Sequence, residues 1–198
     1  MKPIFVLNAP AQTGKDTIAN HFVDDVNVLK VAFKDPMYEI FMASTGLSSN
    51  EFHKLYETPG WKDTPQEITN GKTPREFMIH ISEKFIKPFY GEDYFGKWVG
   101  EYIQRMERDV IGDDVVWVIP DSGFQGEYEA LKALHGDRLV LIQLYREGHT
   151  TFDGDSRNWV YDWELDEEMG AAVFNTTDGN EEVIEFIKEA IVLGEGDY

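Results

Sequence analysis

The sequence predicts an α/β protein built on a parallel sheet, and three observations carry that prediction. Apolar residues recur as short continuous runs, IFVL (4–7), LKVAF (29–33), VVWVI (115–119), LVLIQL (139–144) and AAVF (171–174), the pattern of strands buried on both faces. Helical stripes lie between them: Ile18, Phe22 and Val26 with Ala19 and Val23, and later Val183, Ile184, Ile187 and Ile191. Strand and helix alternate along the chain, as parallel pairing through crossover helices requires. At 198 residues the chain suits one domain, 1–198, with room for a small inserted lobe.

Each element has its own signal. The first strand runs directly into NAPAQTGKDT (8–17), a small, flexible turn tipped by a lysine, before the first helical stripe begins. About eighty residues separate the second and third strands, far more than one crossover helix needs, so this stretch must hold extra helices. One starts at TPREFMIHISEKF, with Thr73 and Glu76 in capping-box spacing and Pro74 at the first helical position. A second covers YFGKWVGEYIQRMER (94–108), while residues 46–72 read as mostly loop with one short helix.

Composition narrows the partners. A hydrophobic content of 42% and an aromatic content of 14% supply a core. The formal charge of −19 repels phosphate backbones and anionic lipids, which argues against nucleic acid and membrane partners. A small phosphorylated molecule stays compatible with that charge if a few cations are concentrated around it. The absence of cysteine excludes disulfides, thiolate metal sites and a cysteine nucleophile. The start, MKPIFVLNAPA, imitates a secretion signal, but IFVL is shorter than the roughly 7–15 apolar residues such a core needs. The expectation is a cytoplasmic protein that begins at Met1. The histidines, 21, 53, 80, 135 and 149, show no metal-ligand spacing, which argues against a zinc enzyme.

The turn at 8–17 approximates the Walker A pattern, in which a strand-to-helix turn converges N–H groups on phosphate. Gly14 and Lys15 fit, whereas Ala9 stands where the first glycine would be and Asp16 takes the Ser/Thr position, with Thr17 one step later. The buried strand before it and the amphipathic helix after it favour a phosphate loop over a plain turn with a solvated lysine. Ala11, Gln12, Thr13, Gly14, Lys15, Asp16 and Thr17 are then the nucleotide-binding candidates.

The GKDT ending resembles that of the bacteriophage deoxynucleoside monophosphate kinases and is similar to the GKGT of adenylate-kinase-like enzymes. Four further segments resemble that group in the same order: FKDPM (33–37), KTPREF (72–77), DSGFQGEYEAL (121–131) and NTTDGNEEVIEFI (175–187). The resemblance implies a P-loop kinase fold, a five-stranded parallel sheet flanked by helices, with a helical acceptor-binding insertion at about 45–112 and a short lid at about 147–160. It also implies ATP and Mg²⁺ as cofactors, small-molecule nucleotide substrates and a phage origin, hence a host cytoplasm, and it leaves a homodimer open.

Phosphoryl transfer asks for alignment and positive charge more than covalent chemistry, which directs attention to a short set of side chains. Lys15 should bridge the β- and γ-phosphates. Asp16 either binds Mg²⁺ or is a first-turn acid favoured by the helix dipole. Asp121, at the carboxyl end of a central strand, is a second candidate near Mg²⁺. Of six arginines, Arg105, Arg108 and Arg138 read as solvated or ion-paired. Arg75 opens the Thr73-capped helix, where a cation is unfavourable without an anion nearby; the resemblance makes that anion the acceptor phosphate, and a salt bridge is the alternative. Arg146 and Arg157 are catalytic candidates that could stabilise charge on the transferring group. Asp35 is a substrate-site acid or the N-cap of a helix starting at Pro36. Glu127 and Gln125 are acceptor contacts or a solvated helix face. Asn175 resembles the position that meets adenine. Trp98, Trp117, Trp159 and Trp163 read as packing residues, with Trp159 the choice if one stacks on a base. One departure stands out: where related segments carry D-x-R, this chain has Asp121, Ser122 and Gly123.

The expected activity is transfer of the γ-phosphate of ATP to a deoxynucleoside 5′-monophosphate. Its rivals are a P-loop kinase for another small-molecule acceptor and a nucleotide-binding module without transferase activity.

Overall fold

Five strands, Ile4–Asn8 (β1), Val28–Lys30 (β2), Val116–Ser122 (β3), Leu139–Tyr145 (β4) and Ala172–Asn175 (β5), pair in parallel in the order β2-β3-β1-β4-β5. Each of the five expected runs contributes a strand, although the second, LKVAF, is strand only at Leu29 and Lys30. The computed structural model describes residues 1–154, 156–162 and 171–193. Trp163 lies outside them, as does Asp155 within the expected lid. The chain divides into two units, Met1–Phe33 with Gly96–Tyr198, and Lys34–Phe95.

In the first unit β1 is central and wholly buried. Its pairing with β3 slips at the carboxyl end, where Val6 faces Ile119 but Asn8 faces Ser122. The extra residue falls around Pro120, which has no N–H to give a ladder, and a bulge there re-aims the Asp121 that follows. One face of the sheet packs on Lys15–His21 (α1) and Glu181–Leu193 (α8) through Phe5, Leu7, Ile18, Phe22, Val183 and Ile187. The stripe expected on the first helix is shorter than its spacing suggested. Val23 and Val26 are exposed because α1 stops at His21, and the Val23 and Asp25 N–H groups close turns onto Asn20 and Phe22 carbonyls. Buried Lys2 donates from Nζ to the Ile191 carbonyl at 2.7 Å, satisfying an orphan carbonyl near the end of α8.

The helices Tyr94–Met106 (α6) and Gln125–His135 (α7) approach closely within this unit. A Cβ at Gly96 would come within 2.1 Å of the Glu127 carbonyl oxygen, so only glycine permits the crossing. Arg138 makes a two-pronged ion pair to Glu107 at 3.0 and 2.7 Å, with both side chains largely buried. Arg108 pairs with Asp109 on the surface, as the sequence suggests for both arginines.

The second unit contains the helices Asp35–Thr45 (α2), Ser49–Tyr56 (α3), Pro74–His80 (α4) and Lys87–Tyr90 (α5). Its core is aromatic: Tyr38, Phe41 and Phe52 meet at ring distances of 4.9 and 5.4 Å, with Met78 alongside. The Thr73–Glu76 capping box forms as its spacing predicts, and Ser48 with Glu51 makes another at the start of α3. The helix from Thr73 does not continue regularly. Residues Ile81–Ile86 widen to i→i+5 bonding just before Pro88, whose missing N–H removes the bond that would return to Lys84.

Candidate active site

The turn after β1 has the backbone of an anion cradle. Gln12 and Gly14 take positive φ, 65° and 103°, and such reversals between right- and left-handed conformations turn N–H groups toward a common centre. At Gly14 a side chain is excluded twice, by φ and because a Cβ would lie 2.4 Å from Asn180 Oδ1. Thr13 is buried, donating from Oγ1 to the Pro10 carbonyl at 2.9 Å and accepting at its own carbonyl from Thr176 Oγ1 at 2.8 Å. Ala9, in place of the first Walker glycine, is wholly buried, its methyl part of the core. Lys15 is 7% exposed, and its ammonium donates to the carbonyls of Ala9 and Pro10, arched over the loop. Ala11, Gln12, Asp16 and Thr17 face solvent.

On one flank, Arg146 ties the loop to the turn between β5 and α8. It donates from Nε to the Thr176 carbonyl at 2.8 Å, from Nη1 to the Gln12 carbonyl at 3.0 Å and from Nη2 to Asn180 Oδ1 at 3.4 Å. Asn175 turns back on its own chain, its Oδ1 accepting from the Thr177 N–H at 2.9 Å. The Trp159 ring stacks on Tyr145 with centroids 4.5 Å apart and takes the edge of Phe152, so it packs within the protein. Burial pushes the Tyr145 phenol up.

On the other flank, at the head of β3, Asp121 accepts the Phe33 N–H on Oδ1 at 3.0 Å. The neighbouring Ser122 hydroxyl is buried and has no hydrogen-bond partner among the described residues. Here three amide side chains clamp residues 158–162, whose first three belong to the expected lid. Asn8 donates to the Ser122 and Asn158 carbonyls, both at 3.1 Å, and accepts from the Val160 N–H at 2.9 Å. Gln143 donates to the Val160 carbonyl at 2.8 Å. Gln125 both donates to the Tyr161 carbonyl and accepts its N–H, at 2.8 and 3.0 Å, as a strand partner would. Asp162 then meets Tyr128 and Lys132 of α7 in a buried cluster. Two expectations change here. Gln125 and Glu127 were open to a solvated-face reading, yet Glu127 is only 3% exposed in the first turn of α7 and Gln125 holds this strap.

In the helical unit, Arg75 makes a bidentate pair with Asp63, and that hydrogen bond holds the Asp63 carboxyl below the usual carboxylate range. Asp35 is not the N-cap: α2 begins one residue earlier than expected, with Lys34 at that position and Asp35 as the first helical residue, where the dipole favours an acid.

The set fits a polyphosphate accompanied by Mg²⁺. The Gly14 cradle is one a Cβ would fill, Lys15 supplies an ammonium, and Ser122 keeps an orphaned buried hydroxyl nearby on β3. Among the described residues no three His, Asp or Glu side chains gather to hold a metal, whereas Mg²⁺ retains most of its waters and asks for one or two carboxylates. Asp16 and Asp121 could supply those. Sequence reasoning passed over Asn8, Gln143, Thr176 and Asn180. Only Asn180 had a local signal, an Asn immediately before the acidic first turn of a helix.

A parallel sheet ordered β2-β3-β1-β4-β5 and flanked by helices, with a glycine turn leaving its central strand, is the arrangement that the resemblance to P-loop kinases implies. No family model matches the sequence. The chain is 23% identical over 156 residues, 71% of its length and 72% of the other, to a protein of Acanthamoeba polyphaga mimivirus that bears the provisional name deoxynucleotide monophosphate kinase. It is 22% identical over 120 residues to the tyrosine–tRNA ligase of Francisella tularensis subsp. tularensis, spanning 30% of that enzyme. A gluconokinase from Sinorhizobium meliloti 1021 superposes over 98% of this chain and 94% of its own at 12% identity, with a TM-score of 0.45, a likeness too loose to bear on fold or activity. No described helix is long and apolar enough to cross a membrane.

Proposed function

We propose that the protein transfers the γ-phosphate of ATP, with Mg²⁺, to a deoxynucleoside 5′-monophosphate. The observation that carries this reading is the loop between β1 and α1, where a buried lysine closes a turn whose backbone leaves no room for a side chain at Gly14. In the reaction an oxygen of the acceptor phosphate bonds to the γ-phosphorus while the bond to the β–γ bridging oxygen breaks, leaving ADP and a deoxynucleoside diphosphate. Lys15 exchanges its two carbonyl partners for β- and γ-phosphate oxygens. The amides of 11–16 hold the remaining donor oxygens, and Asp16 and Asp121 would hold Mg²⁺, which would neutralise charge on the phosphates. Arg146 secures the donor flank of the loop. Arg75 keeps the acceptor role that the resemblance gives it, and Asp35 and Glu127 stay the acceptor-site acids. The mimivirus relative's name supports the choice of acceptor class.

The test is steady-state ADP release with all eight ribo- and deoxyribonucleoside monophosphates, run on the wild type and on Lys15→Ala. Lys15→Ala should fold normally by circular dichroism and lose about 100- to 1,000-fold in kcat. Turnover that survives in Lys15→Ala removes the assignment of Lys15. A wild type that ignores every deoxynucleotide while phosphorylating a sugar or other small alcohol removes the acceptor class.

A further inference from the structure

We propose that Arg157 is an anion-binding residue on the acceptor side of the site, and that glycine stands at position 123 because the Arg157 side chain occupies the space a residue there would need. The inference rests on the phosphoryl-transfer reading above. A Cβ built at Gly123 would lie 2.4, 2.6 and 2.8 Å from Cβ, Cγ and Cδ of Arg157, all closer than carbon atoms approach. The stem of the arginine therefore lies directly on the backbone that leaves β3. The strap fixes it there. The next residue, Asn158, donates its N–H to the Gly123 carbonyl at 2.8 Å, and its own carbonyl accepts from Asn8, the last residue of β1 before the phosphate loop. A guanidinium carried on such a clamped support gives up little further freedom when it binds an anion.

Sheet order decides which anion. β3 and β4 flank β1 on opposite sides. Arg146, just beyond β4, grips the loop together with Thr176 and Asn180, which follow β5. Gly123 follows β3, on the other side of β1. In-line transfer sets donor and acceptor on opposite sides of the moving phosphoryl group. With the donor flank secured by Arg146, the β3 flank belongs to the acceptor, whose phosphate suits the planar fork of an arginine better than a point charge.

The test compares the wild type with Arg157→Gln, Arg157→Lys, Arg157→Gly and the exchange Gly123→Arg/Arg157→Gly. Four quantities are read: KM for the best of the four deoxynucleoside monophosphates, KM for ATP, calorimetric Kd for that monophosphate without ATP, and melting temperature. Arg157→Gln keeps Cβ, Cγ and Cδ on Gly123 and removes the guanidinium with its charge. It should raise acceptor KM and Kd by about 10- to 100-fold, leave KM for ATP within about threefold, and melt well above the assay temperature. Arg157→Lys should fall between the two, and the exchange should recover at least about a tenth of the affinity that Arg157→Gly loses. Wild-type acceptor affinity in Arg157→Gln, or an equal loss for ATP, overturns the inference while leaving the proposed function standing. An exchange no better than Arg157→Gly overturns the spatial replacement at 123. A wild type silent toward all four monophosphates fails the functional reading itself and takes the inference with it.

Discussion

At the scale of single residues, the site is decided by how little room it leaves. Gly14→Ala must place a methyl at φ 103° against Asn180 Oδ1. It should cost about 1–3 kcal/mol in urea denaturation and, with the cradle serving the donor as proposed, raise KM for ATP more than KM for the acceptor. Arg75 presents the opposite situation, a cation already engaged. Its partner Asp63 is about half exposed, so the pair is worth at most about 1 kcal/mol of stability. Asp63→Asn should therefore leave the melting temperature almost unchanged. If Arg75 serves the acceptor phosphate, the same substitution removes a competitor and lowers acceptor KM, whereas an unchanged KM assigns the arginine to a surface pair alone.

At the scale of elements, the segment 158–162 is held as a strand without belonging to the sheet. Side-chain amides of Asn8, Gln143 and Gln125 supply what a neighbouring backbone would. Asn8→Ala deletes two of these bonds together with the one to the Ser122 carbonyl, and strands the buried Val160 N–H, a loss of about 2–4 kcal/mol. Hydrogen exchange at the Val160 amide should accelerate together with that loss, and unchanged protection there rules out the clamp. The π turn before Pro88 and the bulge around Pro120 belong to the same scale. In each case a missing N–H shifts bonding, and the bulge does so next to Asp121.

For the whole molecule, acid stability is the readable consequence of burial. His135 ends α7 with its side chain against α6, its Nε2 3.0 Å from the Gly100 carbonyl. Burial pushes its imidazole below the ordinary 6.5; nearby Arg138 adds to the shift, while the Gly100 carbonyl and Glu107 oppose it. The unfolded chain therefore takes up a proton near pH 6.5 that the folded chain resists. Stability should rise with pH through that region and fall as the solution is acidified below it. The slope of melting temperature against pH should be shallower in His135→Gln, and equal slopes would leave the histidine without a part in it.

The sequence by itself determined the five strand positions, the helix that starts at Thr73, the glycine turn after β1 and the scarcity of cations, because each depends on periodicity, local capping or composition within a few residues. It overextended the first helical stripe to Val23 and Val26, since apolar spacing carries no information about where a turn closes. What only the tertiary structure decided are the relations between distant segments: Asn8 with Val160, Gly14 with Asn180, Arg146 with Gln12, Gly123 with Arg157. Each joins positions more than thirty residues apart, and no local pattern encodes which polar group will meet which once the strands take their order. A glycine following Asp121 and Ser122 looks in sequence like a missing side chain. In the folded chain it is the space another side chain fills.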